Sequence, residues 1–189
     1  MIPVIPEQNS NILLSRRSFI TSVACAAVTL AAPGVFASAL TARDRELSFY
    51  NIHTSEKLST TFWSDGIYLD DALDEISWIL RDHRADIASP IDPKLLDLLF
   101  QLQSSVEYQG ELHVISGYRS PETNALLAER SSKVAKHSYH MLGKAIDIRM
   151  PDFDTSELYK AAISLKGGGA GFYSSSDFVH VDVGPVRHW

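Results

Sequence analysis

Cysteine is almost missing from this chain of 189 residues: Cys25 is the only one, and it falls in an alanine-rich run near the start. If that run is a leader, the remainder holds no thiol, which excludes both a disulfide framework and a cysteine-ligated metal. Positive charge is also short, with 17 Lys and Arg against 23 Asp and Glu and a net charge of −6. A chain so acidic has no electrostatic reason to hold a nucleic acid. There is no glycine-rich phosphate loop, no internal repeat, and no apolar run long enough to read as a membrane span. What remains is ordinary globular composition, 45% hydrophobic and 21% charged.

The first 39 residues differ from the rest. "SRRSFI" at 15–20 precedes an apolar run of small residues that closes on Ala37-Ser38-Ala39, an A-x-A cleavage pattern. The pair Arg16-Arg17 inside S-R-R-x-F-I predicts a twin-arginine signal peptide over residues 1–39, with residues 40–189 exported to the periplasm. The partner implied is the twin-arginine export machinery, with no stable membrane anchor after cleavage. Two other readings stand beside it: an ordinary secretory signal, and a lipid-anchored Cys25. The second is disfavoured by Ser22, which stands where a lipoprotein signal has a large aliphatic residue. Glu7, Arg16 and Arg17 give the leader a charge of +1, so the exported part carries −7. Its roughly 150 residues suit one domain burying about 70% of its unfolded surface.

Local patterns give the elements. Residues 46–63 read as two strands around a Thr54-Ser55-Glu56 turn. Leu69, Leu73, Ile76 and Leu80 fall at helical spacing. A second helix starts with Asp92 as cap and Pro93 in its first position, with Leu95, Leu96, Leu99 and Leu102 on its apolar face. "ELHVISGYRS" runs from strand into turn, and Ser120-Pro121 opens a short helix. "GKAIDIRM" is a strand stopped by Pro151, "DTSELYKAAISLK" a helix, "GGGAG" at 167–171 a flexible link, and "DFVHVDVG" a final strand. Strands and helices interspersed without βαβ repetition predict an α+β fold with an antiparallel sheet.

Side chains alternate faces along a strand. In "AIDI", Ile146 and Ile148 take one face and Asp147 the other; in "FVHVDV", His180 and Asp182 share a face opposite Val179, Val181 and Val183. If these strands pair, Asp147 and His180 lie side by side, and His140, on the loop before Gly143, can fold over them. Two imidazoles and a carboxylate leave a fourth position open, as in a catalytic zinc site, where the metal acidifies water and polarises a carbonyl. The same three groups also suit ferrous iron in an oxygenase, and spacing does not choose between the metals.

"SYHMLGKAID" matches the S-x-H then G-x-A-x-D pattern of the D-Ala-D-Ala peptidase and hedgehog group of zinc enzymes. "SGYRS" resembles that group's upstream arginine motif, and "FVHVDVG" with "VRHW" its closing histidine strand. The likeness spans roughly residues 45–189, with three motifs in order. It implies a small antiparallel sheet flanked by helices, with zinc held by His140, Asp147 and His180. With the twin-arginine signal it is most similar to the murein endopeptidases of the group. That implies hydrolysis of peptide cross-links in peptidoglycan, between two diaminopimelate residues, with stem peptides as the partner. A D-Ala-D-Ala carboxypeptidase, or a silent metal domain that only docks on peptidoglycan, are the alternatives.

Arg119, between a strand and a helix start, is placed to bind a substrate carboxylate or steady an oxyanion, or to pair with Glu122 or Glu129 at the surface. Ser116, Tyr118 and Ser138 are candidates to orient ligands by hydrogen bonds, or simply to stabilise turns. The general base stays open. Relatives in the group place a glutamate three residues before the last histidine, where this chain has Asp177; Asp182 lies on the correct face, and His188 is a third candidate. His53, His83, His113 and His137 read as non-ligands, with His83 at a helix end that favours a cation. Phe62, Trp63, Trp78 and Trp189 read as packing rather than a sugar platform.

Overall fold

In the computed structural model, described residues are 1, 44–131 and 134–189. The expected leader, with Arg16-Arg17 and its cleavage site, lies outside them, and everything below belongs to the unit of residues 39–189. Among the described residues there are eight strands: β1 (Arg45–Asn51), β2 (Lys57–Ser64), β3 (Ile67–Tyr68), β4 (Leu112–Ser116), β5 (Ala145–Arg149), β6 (Gly169–Tyr173), β7 (Phe178–Asp182) and β8 (Arg187–His188). Four α-helices accompany them: α1 (Asp70–Ile79), α2 (Pro93–Ser105), α3 (Pro121–Arg130) and α4 (Thr155–Leu165). Among the described residues, no helix is long and apolar enough to cross a membrane.

The strands form one sheet in the order β3-β2-β1-β4-β5-β7-β6-β8. It is mixed: β1 pairs parallel with β4, and β6 parallel with β8, while the other five pairings are antiparallel. The fold class is α+β as expected, but the sheet is neither small nor purely antiparallel. The parallel β1–β4 pairing arises because two helices intervene and return the chain beside β1 in the same direction. A second correction concerns "GGGAG". Gly169, Ala170 and Gly171 belong to β6, paired with Asp182, Val181 and His180. A glycine run carries no side-chain signal for a strand, so only its neighbours reveal the pairing.

The core lies on one face of this sheet. Leu47, Phe49, Phe62, Leu112, Ile146, Ile148, Val179 and Val181 meet Ile76, Leu95, Leu99, Leu102 and Leu158 from the helices, all at 2% exposure or less. Each such side chain stabilises the fold by about 1.5–3 kcal/mol relative to exposure. The helix caps follow the sequence signals. The Asp92 side chain accepts from Lys94 N, that of Ser120 from Thr123 N, and that of Asp154 from Ser156 N and Glu157 N. Burying Ile146, Ile148, Val179 and Val181 turns Asp147, His180 and Asp182 to the opposite face, where the candidate site forms.

Candidate metal centre

Asp147 and His180 are directly opposed across β5 and β7. His140 reaches them from a 3₁₀ turn, Tyr139–Leu142. That turn is capped by Ser138, whose hydroxyl accepts from His140 N, and ended by Gly143 at φ 64°. A side chain at Gly143 would be strained by that dihedral and would also run into the Pro90 carbonyl. The turn is stitched to the loop after β4: His140 Nδ1 lies 2.7 Å from Gly117 O, and Arg119 N donates to His140 O at 3.2 Å. That loop is anchored in turn by the buried Asp82, whose carboxylate accepts from Ser120 N and Ser120 Oγ.

The three groups converge. His180 Nδ1 lies 2.8 Å from Asp147 Oδ1 and 3.2 Å from His140 Nε2, and His140 Nε2 lies 3.3 Å from Asp147 Oδ1. All three residues are buried, and they form the one cluster among the described residues that could hold a metal ion. Ligands about 2.0–2.1 Å from a tetrahedral zinc stand roughly 3.3 Å from one another, so the spacing fits. The proton positions fit as well. His140 Nδ1 donates to a carbonyl, and His180 Nε2 faces the Asp182 carboxylate at 3.0 Å. With those nitrogens protonated, the opposite nitrogen of each ring presents a lone pair to Asp147 and to the other ring. Three lone pairs at such distances repel unless a cation sits among them.

The electrostatics respond to that convergence. Burial would push the Asp147 carboxyl up, but charge and hydrogen bonds from His140 and His180 hold it far below the usual carboxylate range. Burial opposes charging of His180, yet Asp147 and Asp182 outweigh it and raise the imidazole to about 9.

Asp182 lies behind His180 rather than in the cleft, and it is 0% exposed. Its Oδ1 accepts from Gly169 N, Gly184 N and Arg187, and its Oδ2 from Arg187 and His180. Five donors leave a carboxylate no room to take a proton from water. Burial pushes this carboxyl up, but the bonds from His180, Arg187 and Gly184 N hold it well down. Asp177 precedes β7 in a left-handed conformation, so the strand does begin after it. Its carboxylate turns outward to Arg149 and Thr155. His188, the third candidate base, sits exposed on β8, pairing with Ala170.

A cavity of about 640 Å³ opens over the cluster, lined in part by Arg119, His137, Tyr139, Tyr173, Arg187 and Trp189. Arg119 is held by Ser116 Oγ at 3.2 Å and Asn124 Oδ1 at 3.3 Å, and its NH2 comes 4.0 Å from Asp147 Oδ2. Its buried Nε has no partner, and neither Glu122 nor Glu129 pairs with it. The Tyr118 side chain packs against the core instead of the cavity. Trp189 departs from the expectation of packing alone. It is 48% exposed, its ring centroid is 5.3 Å from that of His180, and its indole donates to Tyr173 OH at 3.1 Å. Two participants carried no local signal: Asp82 and Asn124 act through partners on other elements. Arg187 had one, the "VRHW" run, although its partner Asp182 was not legible there.

The chain is similar to known proteins along most of its length. The family described as Peptidoglycan L,D-endopeptidase MepK matches residues 39–189. Two relatives named "Peptidoglycan L,D-endopeptidase MepK", from Escherichia coli (strain K12) and Shigella flexneri, are each 41% identical over 167 residues, 88% of this chain and 91% of theirs. A "Probable peptidoglycan L,D-endopeptidase MepK" from Haemophilus influenzae (strain ATCC 51907 / DSM 11121 / KW20 / Rd) is 39% identical over 156 residues, 82% of this chain and 84% of its own. No solved structure matches the chain.

Proposed function

The chain belongs to the peptidoglycan L,D-endopeptidase MepK family, and from that premise we propose that it is an exported zinc peptidase cutting murein cross-links between two diaminopimelate residues. The observation that carries the proposal is the convergence of His140, Asp147 and His180 at 2.8–3.3 Å on one side of an open cavity. In this reading those residues hold the zinc. Bound there, zinc supplies Lewis acidity that makes water nucleophilic near neutral pH and polarises the peptide carbonyl. Gly117 O and Asp182 fix the ring orientations, so both imidazoles meet the metal already aimed. Arg119, pinned by Ser116 and Asn124 with an unpartnered Nε, binds a stem-peptide carboxylate or the developing oxyanion. Ser138 serves by capping the turn that carries His140.

The proton needed by the leaving amine does not come from Asp182, which is saturated, nor from Asp177, which faces away. His137 is the imidazole lining the cavity outside the cluster. The absence of a second carboxylate along that lining, among the described residues, favours one other reading: a metal-holding domain that binds peptidoglycan without cutting it. Export through the twin-arginine route to the periplasm completes the proposal, with Arg16-Arg17 as its signal.

Incubating the protein with purified muropeptide dimers, with and without chelator, tests both readings. Cross-linked dimers should fall to monomers with zinc and persist with chelator. Binding to murein sacculi with every dimer intact under zinc-replete conditions would select the silent domain.

A further inference from the structure

Asp182 is gripped from three strands. On its own strand β7 it faces His180; from β8 comes Arg187, whose NH1 donates to Oδ1 at 3.0 Å and NH2 to Oδ2 at 2.6 Å; from β6 comes Gly169 N, donating to Oδ1 at 3.1 Å. The two Arg187 bonds make the parallel fork that fixes a carboxylate in angle as well as position. The arginine is itself held. Its guanidinium lies 5.2 Å from the Tyr139 ring centroid and 5.1 Å from that of Trp189, and NH1 also donates to Pro185 O at 3.0 Å. The space around it is cut to size: a Cβ at position 169 would collide with Asp182 Oδ2 and crowd Arg187 NH1.

We infer that Arg187 is a positioning residue for the metal centre. It clamps Asp182 so that His180 keeps its proton on Nε2 and turns Nδ1 toward His140 and Asp147. The chemistry is directional. An ionised carboxylate only accepts, so the nitrogen it faces has to carry the hydrogen, and the other nitrogen is left to ligate. Without the fork, Asp182 can rotate, and the imidazole behind which it stands loses the contact that selects its ligating nitrogen. The same guanidinium stacks beside two cavity walls, Tyr139 and Trp189, so the wall facing substrate and the ligand facing metal share one support. The inference rests on the zinc reading above, but its first readout does not need the metal.

The test uses ¹⁵N-resolved imidazole NMR and zinc competition against a chromogenic chelator. In the unaltered protein, the Nε2–H of His180 should be visible and slow to exchange with water, both metal-free and zinc-loaded. Arg187→Met keeps an apolar stem between the rings but removes the fork. It should speed that exchange and weaken zinc binding by about 10–100-fold. Arg187→Lys restores charge without the paired geometry and should recover only part of the loss. Equal exchange and equal zinc affinity in Arg187→Met would overturn the inference. So would a proton found on Nδ1 of His180 in the unaltered, zinc-loaded protein, a result that stands even if the variants fail to fold. Failure of the unaltered protein to take up zinc, with exchange still sensitive to Arg187, would remove the zinc reading and leave the clamp.

Discussion

Two cross-strand pairs show how differently one rule can end. On the β1–β2 hairpin, Ser48 and Ser59 are directly opposed, their hydroxyls 2.7 Å apart in the open, with Glu46 accepting from Ser59. On β5–β7, Asp147 and His180 are opposed in the same way, 2.8 Å apart and buried. In both, alternation along a strand turned polar groups away from the core. The difference is the covering. The 3₁₀ turn of His140, the loop from Gly117 to Ser120 and β8 close over the second pair, so its charges cannot be satisfied by water and must satisfy one another or a cation. Among the described residues, nothing comparable closes over the hairpin, where the polar pairs stay solvated and interchangeable.

The sharpest way to break that contrast is to remove a converging ligand. His140→Ala should abolish both zinc retention and muropeptide cleavage, read by elemental analysis and chromatography of the digest. Retention of full activity would make the covered pair no different from the open one. Next comes the anchored cation beside it: Arg119→Ala should retain zinc but lower kcat by about 10²–10³-fold. The core beneath both pairs should answer in stability rather than activity. Leu99→Ala, at a fully buried position, should cost about 2–5 kcal/mol in denaturant unfolding while the folded fraction still binds metal.

A smaller effect belongs to His83, stacked on His53 with ring centroids 3.9 Å apart. Burial, followed by the charges of His53 and Arg84, depresses its imidazole to about 4, against the expectation that a helix end would favour its cation. The folded protein therefore takes up this proton less readily than the unfolded chain. Its share of stability is complete above about pH 6.5 and is lost as pH falls toward 4. His83→Phe should flatten thermal unfolding across that window. Smallest of all, Ser48→Ala should change unfolding free energy by no more than about 0.5 kcal/mol. A large loss there would erase the distinction between the two faces.

Much of the covered site was legible because its logic is local. The period of two in "AIDI" and "FVHVDV" put Asp147 and His180 on one face, and Gly143 marked the turn carrying His140. The caps at Asp92 and Ser120 were legible for the same reason. What escaped was settled between elements far apart in the chain. Nothing near residues 45–51 announces that β1 will lie parallel to β4, or that glycines at 169 and 171 will pair with β7. Asp182 was readable as polar and inward, but whether it faces the cleft or supports His180 depends on Arg187 arriving from β8. Asp82 and Asn124 likewise gain their meaning only from the loop that each one holds.

The sheet's outer strands, β3 and β8, are two residues each. Because β3 pairs with β2 only at Trp63 and Ser64, the stretch of β2 from Lys57 onward has no further strand beside it among the described residues. That border, far from the metal ligands, keeps the row of open amides and carbonyls on which another chain can add edgewise.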